Sequence, residues 1–140
     1  MVVQPYINFN GTCKNAVEFY AQVFKTERPN IMKFGDAPPN PEFQLPPGTQ
    51  DLVMHAKLEL GESALMFSDT FPGMPFIVGN NISLIYMSSD EADIHRIFDE
   101  LKVGGTVDME LQQTFWSKCY GSITDKFGIP WQLSYEEKQA

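Results

Sequence analysis

"VMHAKLELGESALMFSD", residues 53 to 69, alternates apolar and polar side chains on both sides of Gly61 and Glu62. Two-residue periodicity on either side of a tight turn is the mark of a β-hairpin. In its first arm Met54, Ala56, Leu58 and Leu60 form one apolar row, which leaves His55, Lys57 and Glu59 on the opposite face. One face is therefore expected to pack on a helix, and the other to stay open.

Working outward, "PYINFNG" reads as a short strand and "TCKNAVEFYAQVFK" as an amphipathic helix with Ala16, Val17, Phe19, Tyr20 and Phe24 at helical spacing behind Thr12 as N-cap. "RPNIMKFG" follows as a strand. Pro38, Pro39, Pro41, Pro46 and Pro47 then crowd a segment that can be neither helix nor central strand, so residues 35 to 48 read as a long surface loop. The order then repeats. After the Pro/Gly-rich stretch "TFPGMPFIVGNN" come strand "ISLIYM", helix "SDEADIHRIFDELK", strand "TVDMELQQ" and a closing pair "CYGSITD" and "PWQLSY". Two modules of strand, helix and three strands, about residues 1–70 and 80–136, make a single duplicated α+β domain.

The expected architecture is two βαβββ modules forming an open, curved eight-stranded sheet with the helices outside. The same alternation sends Ile7 and Phe9, Leu65 and Phe67, Ile82 and Leu84, and Trp131 and Leu133 toward the helices. Tyr6, Asn8, Met66, Ser68, Ser83, Ile85, Gln132 and Ser134 are left on the other face, lining a hollow.

Bulk composition narrows the function classes. The 140 residues suit one ordinary domain, and 43% hydrophobic with 20% charged residues is a globular composition. Ten Lys and Arg against eighteen Asp and Glu give a net charge of -8 without a basic run, so neither nucleic acid nor an anionic membrane is an expected partner. Cys13 and Cys119 lack CxxC or CxxH spacing and read as ordinary thiols of a reducing compartment. The N-terminal "MVVQPYINFN" has no signal-peptide pattern, and the expected location is cytoplasmic.

Particular stretches also carry a resemblance. The duplicated module, "NAVEFY" and the closing "TDKFGIPWQL" resemble the vicinal oxygen chelate superfamily of glyoxalase I, extradiol dioxygenases and bleomycin-resistance proteins. "YINFNGTCKNAVEFYAQVF", "HAKLELGESALMFSD" and "QQTFWSKCYGSITDKFGIPW" are similar to its PhnB-like, or 3-demethylubiquinone methyltransferase-like, branch over about residues 4 to 135. The resemblance implies the paired-module fold and a homodimer. In metal-using relatives, His or Glu side chains of the first and last strand of each module hold a divalent ion. Those positions carry over here to Tyr6 or Asn8, Met66, Ser83 and Gln132, which give almost no ligand field for such an ion. No metal or other cofactor is expected there. A methyltransferase of the doubly wound kind is not supported either, because no GxGxxG occurs.

The leading expectation is a metal-independent binder of a small molecule, lined by Tyr6, Asn8, His55, Met66, Ser83, Trp116 and Gln132 with residues 35 to 48 as lid. The competing one is an enzyme of the same superfamily, an isomerase, lyase or thiol transferase, with His55 as acid or base. His55 also reads as a satisfied sheet histidine, which Lys57 and Glu59 could orient. Trp116 and Phe115 either stack on a ligand or cover the mouth of the hollow or a dimer seam. Asp69 and Asp125 end equivalent strands, and Asp125 reads as a turn residue bonding backbone ahead of Gly128. His95 reads as exposed on its helix, and Cys119 as an unactivated thiol. A groove for a protein or peptide is the third alternative.

Overall fold

The computed structural model describes residues 1–42 and 44–138. The chain divides into two units, Met1–Ile77 and Val78–Ala140. The first holds β1 (Tyr6–Phe9), α1 (Cys13–Phe24), β2 (Asn30–Lys33), β3 (Val53–Leu60) and β4 (Ser63–Asp69). The second holds β5 (Leu84–Ser88), α2 (Glu91–Leu101), β6 (Thr106–Gln112), β7 (Tyr120–Thr124) and β8 (Pro130–Tyr135). Both are βαβββ modules. Their eight strands hydrogen-bond as two four-stranded sheets, in the orders β1-β4-β3-β2 and β5-β8-β7-β6.

In each sheet the first and last strands of the module pair in parallel and the other pairs are antiparallel. The parallel pairing follows from the helix, which returns the chain to the side of the sheet where it began. Register then decides which side chains share a face. Tyr6 stands beside Met66 and Met66 beside Lys57, while Ile85 stands beside Gln132 and Gln132 beside Ser122.

The opposite face meets the helix. In the first unit α1 buries Ala16, Val17, Tyr20 and Val23 with Ala56, Leu58, Leu65 and Phe67 of the sheet. Phe67 is the central ring, with Phe9 at 6.2 Å and Tyr20 at 5.9 Å between centroids. In the second unit α2 buries Ile94, Ile97, Phe98 and Leu101, and the sheet buries Ile123, Trp131 and Leu133. Gly121 is small for a reason: a Cβ there would stand 2.9 Å from Leu111 Cδ2 and 3.0 Å from Phe98 Cε2. Leu84 and Tyr86 lie on this side, and Tyr86 donates to the Asp93 carboxylate of α2. Burial first, then that carboxylate, pushes the Tyr86 phenol up to about 12.

Ile82 departs from the expected pattern. It precedes β5 and is 74% exposed, because pairing with β8 begins only at Leu84. Thr12 occupies the N-cap of α1 but makes no side-chain capping bond. The Asp69 carboxylate does the work from across the sheet, with Oδ1 accepting from Gly11 N–H at 2.9 Å and Cys13 N–H at 3.0 Å. Its Oδ2 accepts from Val53 N–H at 2.9 Å. At α2, by contrast, Asp90 caps the helix directly, accepting from Ala92 N–H and Asp93 N–H.

Asp125 is the corresponding node of the second unit, although not the topological equivalent of Asp69. Asp69 ends β4, the counterpart of β8, whereas Asp125 follows β7, the counterpart of β3. Its Oδ1 accepts from Phe127 N–H (2.8 Å) and Ile129 N–H (3.1 Å), and its Oδ2 from Trp131 Nε1–H (2.8 Å). The turn closes with Gly128 N–H on Asp125 O, at a φ of 88° that glycine adopts freely. Among the described residues every buried side-chain nitrogen and oxygen has a hydrogen-bond partner.

Removing one of these carboxylates strands three donors at once. Asp125→Ala is expected to cost about 3 kcal/mol in urea unfolding, against about 1 kcal/mol for the exposed cap variant Asp90→Ala. Equal losses for the two variants would contradict the assignment.

Candidate functional site

In each unit the sheet face turned away from the helix carries polar groups bonded to one another. In the first unit Tyr6 Oη lies 3.2 Å from His55 Nδ1, with the rings tilted at 33° and their centroids 5.8 Å apart. This contact holds the imidazole against the phenol. Ser68 Oγ donates to Asn8 Oδ1 at 2.9 Å, and Met66 stands beside Tyr6 in the register. Met32, paired with His55, adds an exposed thioether to this face. Lys57 and Glu59 form a pair with each other at 3.7 Å, so Tyr6 is the residue that orients His55.

Residues 35 to 48, expected as a lid, leave the sheet through a closed base. Phe34 N–H bonds Leu52 O and Gly35 N–H bonds Gln50 O, each at 2.9 Å, and the buried Thr49 donates to Pro46 O at 2.7 Å. Residue 43 of that loop lies outside the described residues.

In the second unit Gln132 is the centre. Its Oε1 accepts from Tyr120 Oη–H, and its Nε2 donates to Ser83 Oγ at 2.8 Å. Both ends of the amide are therefore occupied within the protein, and Gln132 works as a strut between two hydroxyls. The ring of Tyr120 continues the array, with Trp116 edge-on at 5.2 Å and Phe115 edge-on to Trp116 at 4.7 Å. Ile85, Met87 and Met109 border it as exposed apolar groups.

Of the seven residues expected in the site, Tyr6, Asn8, His55 and Met66 gather in the first unit and Ser83, Trp116 and Gln132 in the second. Sequence reasoning missed Tyr120. Its signal was available, since Tyr120, Ser122 and Thr124 alternate on the face of β7 that Gln132 shares.

The superfamily's metal positions hold a phenol or amide, a thioether, a hydroxyl and an amide, with Tyr6 engaged by His55 and Gln132 by both Tyr120 and Ser83. This donor set does not fit a divalent ion, which asks for imidazole, thiolate or carboxylate.

The two thiols are both free and buried. Burial chiefly, and then the Asp69 carboxylate, pushes Cys13 up to about 12, which makes it inert. Cys119 has a base nearby after all, with His95 Nε2 3.7 Å from its sulfur. Burial and the charge of Glu91 nevertheless raise its pKa, the wrong direction for a nucleophile. Among the described residues no helix is long and apolar enough to cross a membrane.

Two mixed sheets, each built from a βαβββ module with the last strand beside the first, define the class of the vicinal oxygen chelate fold. A glyoxalase/bleomycin resistance protein/dioxygenase family enzyme from Burkholderia phytofirmans shares that fold, with a TM-score of 0.60 at 14% identity, over 93% of this chain and 95% of the other. Residues 2–134 match the family model described as 3-demethylubiquinone-9 3-methyltransferase, and the chain belongs to this PhnB-like family. It is 31% identical to Protein YjdN of Escherichia coli (strain K12) over 99% of this chain and 98% of YjdN. Protein PA1353 from Pseudomonas aeruginosa is 34% identical in its crystal structure, with a TM-score of 0.87 and 99% of each chain covered.

Proposed function

We propose that the chain is a metal-independent small-molecule binding protein whose ligand rests on an open sheet face. One observation carries this reading: amide and hydroxyl groups there are already bonded to one another, Gln132 with Tyr120 and Ser83 and Asn8 with Ser68, and Tyr6 meets His55. Such groups keep their orientation at little further cost in entropy and offer their remaining donors and lone pairs to a ligand. The exposed Trp116 and Phe115 rings and the Met32, Met87 and Met109 thioethers supply adaptable apolar contact. A neutral, partly aromatic molecule suits this mixture better than an ion.

The second reading is an enzyme in which His55 moves a proton, favoured by the Tyr6 contact that positions its ring. Methyl transfer, which the family's description mentions, is not part of the proposal. A doubly wound S-adenosylmethionine fold needs a Gly-rich turn between strand and helix, and the β1–α1 junction offers Gly11 alone.

A homodimer in a reducing cytoplasm completes the reading. The strands at the sheet edges are the surfaces that a second copy would cover. Light scattering is expected to return twice the 15.9 kDa of one chain, and a monomer would overturn the dimer.

The ligand proposal is tested by a thermal-shift screen against quinones, aromatic antibiotics and thiols, run with and without EDTA. A stabilising compound is expected to lose its effect in His55→Ala or in Trp116→Ala, according to the unit whose open face binds it. A shift that EDTA abolishes would overturn metal independence, and one unchanged in both variants would overturn the location. Conversion of the bound compound by wild type but not by His55→Gln would establish the enzyme reading.

A further inference from the structure

The geometry points to a zinc-type divalent metal site on the helical side of the second unit, formed by Glu91 and His95 of α2 and by Cys119 just before β7. Their ligand atoms all lie within 4.8 Å of one another. His95 Nε2 is 3.7 Å from Cys119 Sγ and 4.0 Å from Glu91 Oε1. A tetrahedral zinc with bonds of about 2.3 Å to sulfur and about 2.0 Å to nitrogen and oxygen separates S from N by about 3.5 Å and N from O by about 3.3 Å. Small rotamer adjustments close that gap.

Each element of the fold contributes. Glu91 and His95 are one helical turn apart on one face of α2, the spacing that lets two side chains meet at one point. Cys119 is held by its backbone. Its N–H bonds Ser117 Oγ at 3.2 Å, its carbonyl accepts from Tyr135 N–H at 2.8 Å, and Ser117 Oγ reaches Tyr135 O at 2.9 Å. The sulfur is thus fixed and buried, while the Glu91 and His95 side chains are 55% and 56% exposed. An ion can enter from solvent and keep water in a fourth position.

The ligand types select the metal. One thiolate, one imidazole and one carboxylate suit borderline ions such as zinc and cobalt(II), and exclude magnesium and calcium, which require several oxygens. Binding forms the metal–sulfur bond as the S–H bond breaks, and the proton leaves to solvent.

Occupancy would also have a consequence for the opposite face. Cys119 ends the segment between β6 and β7 that carries Phe115 and Trp116, and it precedes Tyr120, whose ring Trp116 meets. A metal would therefore staple that segment to α2. This inference does not rest on the proposed ligand site, whose EDTA-resistant binding is a separate prediction.

The test is cobalt(II) titration of chelator-stripped full-length protein. A near-ultraviolet thiolate-to-cobalt band with visible bands of tetrahedral intensity is expected, with zinc displacing cobalt, magnesium leaving the spectrum unchanged and tryptophan emission changing in step. Cys119→Ser should abolish the charge-transfer band. His95→Ala, an exposed change that leaves the core intact, should weaken binding by more than about tenfold, since even outer-shell partners of a metal are worth about 10–100-fold. Absence of the band in wild type, or a band of equal strength in either variant, would overturn the site.

Discussion

Two buried carboxylates, Asp69 and Asp125, each collect three N–H donors, and the open faces depend on those six bonds. A buried carboxylate without partners costs several kcal/mol, so each is tolerable only where the chain brings donors to it, and that need fixes the geometry of the segments involved. Asp69 ties the entry of α1 and the start of β3 to the end of β4, so helix and sheet are held edge to edge. Asp125 shapes the turn into β8 and grips the indole of Trp131, the residue just before Gln132. With Trp131 pinned toward α2, the pleat of the strand leaves Gln132 only the other face.

Much of this was legible in the sequence because two of its signals are local. Period-two alternation placed β3, β4 and β8 and most of their buried rows, although a register shift beside β2 buries Val53 and leaves Met54 half-buried; helical spacing placed α1 and α2, and "DKFG" announced the Asp125 turn. Signals that act across the sheet were not legible. The Thr12 cap was plausible from neighbours alone, yet Asp69, 56 residues beyond Cys13, takes the donor instead. Tyr6 meets His55 across 49 residues and His95 meets Cys119 across 24, separations at which spacing in the sequence carries no distance information. Ile82 failed for a different reason: alternation tells which face a residue would use in a strand, and cannot tell where pairing starts.

The consequence for function is a division of labour between the two sides of the second sheet. On the open side stand hydrogen-bonded amide and hydroxyl groups and soft apolar surface. Gln132 is not a vacant ligand position. It is a strut whose oxygen and nitrogen hold Tyr120 and Ser83, and through Tyr120 the Trp116 segment, in place. On the helical side, a thiol, an imidazole and a carboxylate converge where no open-face chemistry requires them.

The side-chain amide of Gln132 reports on the central claim most directly, because its two N–H protons give distinct nuclear magnetic resonance signals. Titrating labelled protein with a stabilising compound whose effect Trp116→Ala removes, in EDTA, is predicted to shift those signals together with backbone amides of β7 and β8, while the amides of α1 and α2 stay unmoved. Shifts confined to the helices, with the Gln132 amide unchanged, would contradict the account.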